Sequence, residues 1–86
     1  MTMPITLVVD DEPDIRELLQ ITLSRMGIQT VCADSLASAR SLLGNRRFDL
    51  CLTDMRLPDG DGLDLVDYIQ NSNPALPVAV ITAHGN

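Results

Sequence analysis

The sequence predicts one α/β domain built on a parallel sheet, and three observations carry that expectation. Four short apolar runs, at 5–9, 28–33, 49–54 and 78–82, alternate with three segments of helical periodicity. The runs are apolar at almost every position, which suits strands covered on both faces. The connections are only a few residues long, so each helix must cross back to a parallel neighbour, right-handedly, with helices on both faces of the sheet.

The first run, ITLVV, is β-branched and ends on Asp10 and Asp11. In the segment DDEPDIRELLQITLSRMG, Pro13 has the fixed φ and missing N–H that suit a first helical position. Acids at 12, 14 and 17 favour the positive end of the helix dipole. Ile15, Leu18, Leu19, Thr22 and Met26 recur at helical spacing, and Gly27 supplies the stop. IQTVCA (28–33) reads as the second strand. Ser35 is placed to cap a helix over 36–43, with Leu36, Ala39 and Leu43 on one face and Gly44 ending it. Residues 49–54 form the third strand and 58–62 a loop. Asp61, with Asp64 three residues on, resembles a capping box for a helix over 63–71 whose narrow apolar face holds Leu63, Val66, Ile69 and Gln70. Pro74 and Pro77 bracket a turn before the fourth strand, VAVIT (78–82). There is no repeat, low-complexity tract or interdomain linker, so residues 1–86 are expected to form one domain.

Composition narrows the function. Twelve acids against six bases give a net charge of −6; the bases are all arginine, and Phe48 and Tyr68 are the only aromatics. Such a chain is poorly equipped to grip nucleic acid. Cys32 and Cys51 lie far apart in apolar stretches, with one histidine in the whole chain, and form no zinc pattern. They read as small buried hydrophobes in a reducing compartment. No signal-peptide pattern or membrane-length apolar run is visible, and a cytoplasmic location is the expectation.

The chemistry lies at the strand ends. In parallel sheets of this kind, ligands sit beyond the carboxyl ends of the strands. Asp10 and Asp11, Asp54, and Thr82 stand at the ends of the first, third and fourth runs, so they are expected to converge. Crowded carboxylates repel, which should raise the pKa of at least one and favour a hard divalent cation such as Mg2+. One carboxylate, best Asp54, could then attack phosphorus to give an acyl phosphate, with the Thr82 hydroxyl donating to a phosphoryl oxygen.

The stretches VVDDEPDIRELL, DLCLTDMRLPDGDGLDLV and PVAVITAHGN, in that order, resemble the receiver domain of bacterial two-component response regulators across the whole chain. Their flavour is most similar to receivers of the nitrogen-regulation and type IV pilus class of sigma-54-dependent activators. The resemblance implies a flavodoxin-like, doubly wound sheet of order 2-1-3-4. It makes Asp54 the phospho-acceptor and a metal ligand. Asp10 and Asp11 become the acidic pair for Mg2+, Asp11 directly and Asp10 through water, with the backbone carbonyl of Arg56 as a further ligand. Thr82 becomes the switch hydroxyl, followed by the small Ala83, while Pro58 and Gly62 match the turn after the acceptor. The side chains of Arg56 and His84 fall at flanking positions suited to tuning acyl-phosphate lifetime. The implied donor is a phosphohistidine on a sensor histidine kinase. The implied role is a phospho-accepting regulatory domain that catalyses its own phosphorylation and dephosphorylation and controls a transcriptional output, with no direct nucleic-acid or membrane contact from this chain.

One departure sets further expectations. Receivers carry a lysine at the end of a fifth strand and an aromatic switch residue on it, whereas this sequence has no lysine and continues four residues past Thr82. It therefore reads as the N-terminal part of a receiver, lacking the fifth strand and the last two helices. Phosphoryl transfer should be impaired without that preorganised cation. The fourth strand should form an exposed edge that promotes self-association, including exchange of elements between copies.

Rival readings fare less well. A Mg2+-dependent phosphatase with an aspartate nucleophile shares the chemistry, but that superfamily resembles Asp-x-Asp-x-Thr and here Arg56 stands two residues after Asp54, with no general acid. A calcium loop aligned on Gly62 would put Leu57 and Tyr68 at ligand positions. Asp59 and Asp61 are expected to solvate and cap their loop. A nucleotide-binding domain would need a Gly-rich loop after the first strand, and none is present.

Overall fold

The computed structural model describes residues 3–81. Its elements in chain order are β1 (Ile5–Val9), α1 (Pro13–Arg25), β2 (Gln29–Ala33), α2 (Leu36–Asn45), β3 (Leu50–Asp54), β4 (Arg56–Leu57), β5 (Gly60–Asp61), α3 (Gly62–Ser72) and β6 (Val78–Ile81). The main sheet is parallel throughout, in the order β2-β1-β3-β6, which is the order the resemblance implied. The expected positions of Thr82, Ala83 and His84 lie outside the described residues.

Alternation along β1 divides the core between the two faces of the sheet. Leu7 and Val9 point into a cluster with Leu36 and Ala39 of α2, Leu65 and Ile69 of α3, and Phe48, Cys51, Leu57 and Leu76. Thr6 and Val8, 1% and 0% exposed, point the other way, and α1 packs on β1 and β2. Both aromatic rings also carry a guanidinium: Arg40 lies 5.3 Å from the centroid of Tyr68 and Arg46 lies 5.6 Å from that of Phe48. Cys51 is fully buried and its thiol is pushed up to about 12 by that burial, so it behaves as a small hydrophobe. Among the described residues no helix is long and apolar enough to cross a membrane.

The helix starts follow the sequence closely. Pro13 opens α1 after Glu12, and Gly27 adopts φ 79° just past the α1 C-cap Met26. Ser35 accepts from the N–H of Ser38, and the Asp61–Asp64 capping box is formed in both directions.

Four local expectations need correction. In α1 the face turned to the sheet is Ile15, Leu19 and Leu23, an i, i+4 stripe; Leu18 and Met26 are 60% and 67% exposed, and Thr22 faces solvent. Helix α2 runs through Gly44 to Asn45, because Gly44 keeps a negative φ and the chain leaves the helix only at Arg46. The 58–62 loop is half of a small antiparallel hairpin, β4 paired with β5, closed by Pro58 and Asp59. In α3 the buried stripe is Gly62, Leu65 and Ile69, while Leu63 is 53% exposed and Gln70 faces solvent. That stripe begins on a glycine, which gives no apolar signal, so the neighbouring leucine misplaced it by one step.

Strand β6 forms one border of the sheet. It pairs with β3 on one side, and among the described residues no strand pairs with its other side. Its residues Val78, Val80 and Ile81 are only half-buried and Ala79 is exposed.

Candidate functional site

Register brings the acids together. Val9 lies opposite Thr53 across β1 and β3, so the residues that follow, Asp10 and Asp54, emerge side by side at the carboxyl rim of the sheet. Asp54 in turn lies opposite Ile81, so the described end of β6 reaches the same rim. Asp10, Asp11 and Asp54 each offer a carboxylate oxygen, and these oxygens all lie within 4.8 Å of one another.

The three carboxylates have different environments. Asp10 is 2% exposed; its Oδ1 accepts from the Glu12 N–H at 2.9 Å. Its backbone carbonyl accepts from the Arg16 guanidinium at 2.7 Å, which ties the first turn of α1 to the strand end. Burial pushes the Asp10 carboxyl above the ordinary carboxylate range. The Glu12 N–H opposes that shift, while the charges of Asp54, Asp11 and Glu12 add to it. Asp54 is half-buried and its Oδ1 accepts from the Met55 N–H at 2.8 Å, whereas Asp11 is exposed.

A cleft of about 600 Å³ opens over this cluster, lined by Asp11, Glu12, Asp54, Met55, Arg56, Leu57 and Pro58. Arg56 stands on the same cleft as Asp11 and Asp54. An all-oxygen donor set with a buried, charge-crowded carboxylate fits a small hard cation such as Mg2+, which a site with one or two carboxylates and water can hold. The donor set lacks the nitrogen and sulfur ligands that softer metals prefer.

Two contributors were not apparent from the sequence, and a third showed there only as part of the turn after Asp54. Glu12 lines the cleft, Arg16 braces Asp10, and Gly62 presses so closely on β3 that a Cβ there would overlap the carbonyl oxygen of Asp54. Only Gly62 had a signal, in its place within the post-acceptor turn. The other two contacts depend on how α1 sits on the strand end.

Residues 6–86 match the response regulator receiver domain family. Response regulator protein PilR of Pseudomonas aeruginosa (strain PAO1) is 65% identical over 80 residues, which is 93% of this chain and 18% of PilR. Among solved structures, response regulator protein TrrA from Thermotoga maritima in complex with Mg2+-BeF covers 96% of this chain and 72% of its own, with a TM-score of 0.92 at 31% identity. The beryllofluoride-activated NtrC4 receiver domain dimer covers 98% of this chain and 69% of its own, with a TM-score of 0.89 at 36% identity. The chain therefore spans 18% of the length of that curated relative and about 70% of these solved receivers.

Proposed function

The chain belongs to the response regulator receiver domain family, and on that premise we propose that Asp54 accepts a phosphoryl group from a phosphohistidine of a partner sensor kinase in a Mg2+-dependent reaction. The observation that carries this reading is the convergence of Asp10, Asp11 and Asp54, with their oxygens inside 4.8 Å, beneath an open cleft.

Each residue has a distinct task in this reading. Asp54 Oδ1 is held by the Met55 N–H, which orients the carboxylate and leaves Oδ2 to attack phosphorus. The new bond joins that oxygen to phosphorus as the phosphorus–nitrogen bond to the donor imidazole breaks, and the imidazole leaves with its electron pair and takes up a proton. Asp10 and Asp11, with Asp54 and the backbone carbonyl of Arg56, would hold the cation. Bound Mg2+ supplies positive charge to the phosphoryl oxygens and relieves the repulsion among the acids. Thr82 serves as the switch hydroxyl, and the resulting change of conformation controls an output domain, in keeping with a regulatory rather than a metabolic role.

Titration of this chain with Mg2+ and then beryllofluoride, followed by NMR, tests the proposal. We expect the amides of Asp10, Asp11 and Met55 to shift on Mg2+ addition and again with beryllofluoride, with the second response lost in Asp54→Asn. Saturating additions that leave those amides in place would overturn it. Because the sequence has no lysine to meet the phosphoryl group, phosphorylation by a small-molecule donor should be much slower here than in a version extended through the family's fifth strand. Equal rates would reject that expectation.

The half-buried β6 border supports self-association of this chain as a second expectation. Light scattering across a concentration series should show dimers or larger species. A monomer at every concentration would be the contrary result.

A further inference from the structure

The β4–β5 hairpin carries Arg56 on the rim of the acidic cleft, and it is fastened at both ends. At its base the Gly62 N–H donates to the Met55 carbonyl at 2.7 Å. At its tip Asp59 reaches to α2: Oδ1 accepts from the Leu36 N–H at 2.8 Å and Oδ2 from the Ala37 N–H at 3.0 Å. The two amides hold the Asp59 carboxyl below the usual carboxylate range. Next to it Gly60, at φ 155°, lies flat against Leu36, where a Cβ would overlap the Leu36 side chain. Leu57 is buried in the same core cluster as Leu36.

The opening turn of α2 explains what this contact is for. A helix begins with four N–H groups that lack intrahelical acceptors. Ser35 and Ser38 meet two of them reciprocally, the Ser35 hydroxyl accepting from the Ser38 N–H at 3.1 Å and the Ser38 hydroxyl from the Ser35 N–H at 3.2 Å. The remaining two amides belong to Leu36, which is buried, and to the exposed Ala37. They are met by a carboxylate 23 and 22 residues away in sequence. The contact therefore joins two elements, capping α2 and holding the tip of a hairpin that has only two short strands of its own.

We propose that Asp59 is a positioning residue for the cation site: seated on the N-terminus of α2, it fixes the hairpin so that the backbone of Arg56 stays on the cleft beside Asp11 and Asp54. This inference rests on the reading that those acids and the Arg56 carbonyl hold Mg2+. Asp59 itself does not touch the cation.

Mg2+ titration calorimetry on the intact chain, with amide hydrogen exchange read by NMR, tests it using three variants. Asp59→Ala should weaken Mg2+ binding roughly tenfold, the scale on which removing an outer support acts. It should also raise exchange both at Leu36 and Ala37 and at Leu57 to Asp61. Asp59→Asn removes the same charge yet keeps one of the two capping oxygens, and it should retain part of the affinity. Ser35→Ala weakens the helix start without touching the hairpin and should leave Mg2+ binding unchanged. Equal losses in Asp59→Ala and Asp59→Asn would leave no part for the retained capping oxygen and overturn the proposal, as would an equal loss in Ser35→Ala. If the unaltered chain binds Mg2+ and Asp59→Ala binds it as well, the clamp fails while the cation site stands. If the unaltered chain binds no Mg2+, the functional reading fails and the clamp with it.

Discussion

Replacing Gly62 with alanine is expected to lower the melting temperature by roughly 10–20 °C. Gly62 is the first residue of α3 and is buried. A Cβ on it would overlap the Asp54 carbonyl oxygen and come within 3.1 Å of the Asp54 carbonyl carbon and 3.3 Å of the Met55 Cα. All three are backbone atoms, so no side chain can rotate away to make room. Relief requires α3 to move off the end of β3, which pulls on the Gly62–Met55 hydrogen bond and on the stripe Leu65 and Ile69. Overpacking of this sort costs about 2–3 kcal/mol, out of a total stability near 5–10 kcal/mol for a domain this small. At about 4–8 °C per kcal/mol that gives the stated shift. The same movement displaces Asp54 and the start of the hairpin, so Mg2+ affinity should fall along with stability. Differential scanning calorimetry with and without Mg2+ measures both, and an alanine variant that melts within 3–4 °C of the parent would contradict the packing argument.

Gly62 also shows which parts of the molecule could be seen in advance. The strands were legible because each is a dense apolar run, and the acids were legible because they stand where those runs stop. Register does the rest: once Val9 faces Thr53, Asp10 and Asp54 have to be neighbours. Helix faces were less legible. Leu63 and Leu65 compete for the same stripe, and only contact with β3 and β6 selects Leu65. In α1, Leu18 and Leu19 offered two interleaved stripes, of which the sheet took the one ending at Leu23. Asp59 was not legible at all. Its acid in a Pro-Gly turn has an adequate local explanation, and nothing near it in sequence points to amides in a helix that has already ended.

Replacing Asp10 with asparagine should stabilise the metal-free protein while removing most of its response to Mg2+. Asp10 is 2% exposed and shares a 4.8 Å cluster with two other carboxylates, so its charge is both poorly hydrated and repelled. Asparagine keeps the oxygen that accepts from Glu12 and places an N–H2 where the Asp11 and Asp54 oxygens can accept from it. Removing like-charge repulsion at this separation is worth about 1–2 kcal/mol after screening, or a rise of roughly 5–10 °C in melting temperature. The pH dependence has a definite sign. The Asp10 carboxyl is raised when folded, so the folded protein is penalised above that raised pKa and relieved as Asp10 takes up a proton. The advantage of Asp10→Asn is therefore full at neutral pH and shrinks as the pH falls through the raised value towards the ordinary 3.8. Added Mg2+ acts the other way. At one hundred times its dissociation constant it stabilises the parent by about 2.7 kcal/mol, enough to reverse the order, because on the proposed reading the variant has lost one of the carboxylates that serve the cation and gains little. Thermal melts at two pH values, each with and without Mg2+, contain the whole test. A variant less stable than its parent in metal-free buffer at neutral pH, or an advantage that grows on acidification, would mean that Asp10 is not held against the repulsion of its neighbours.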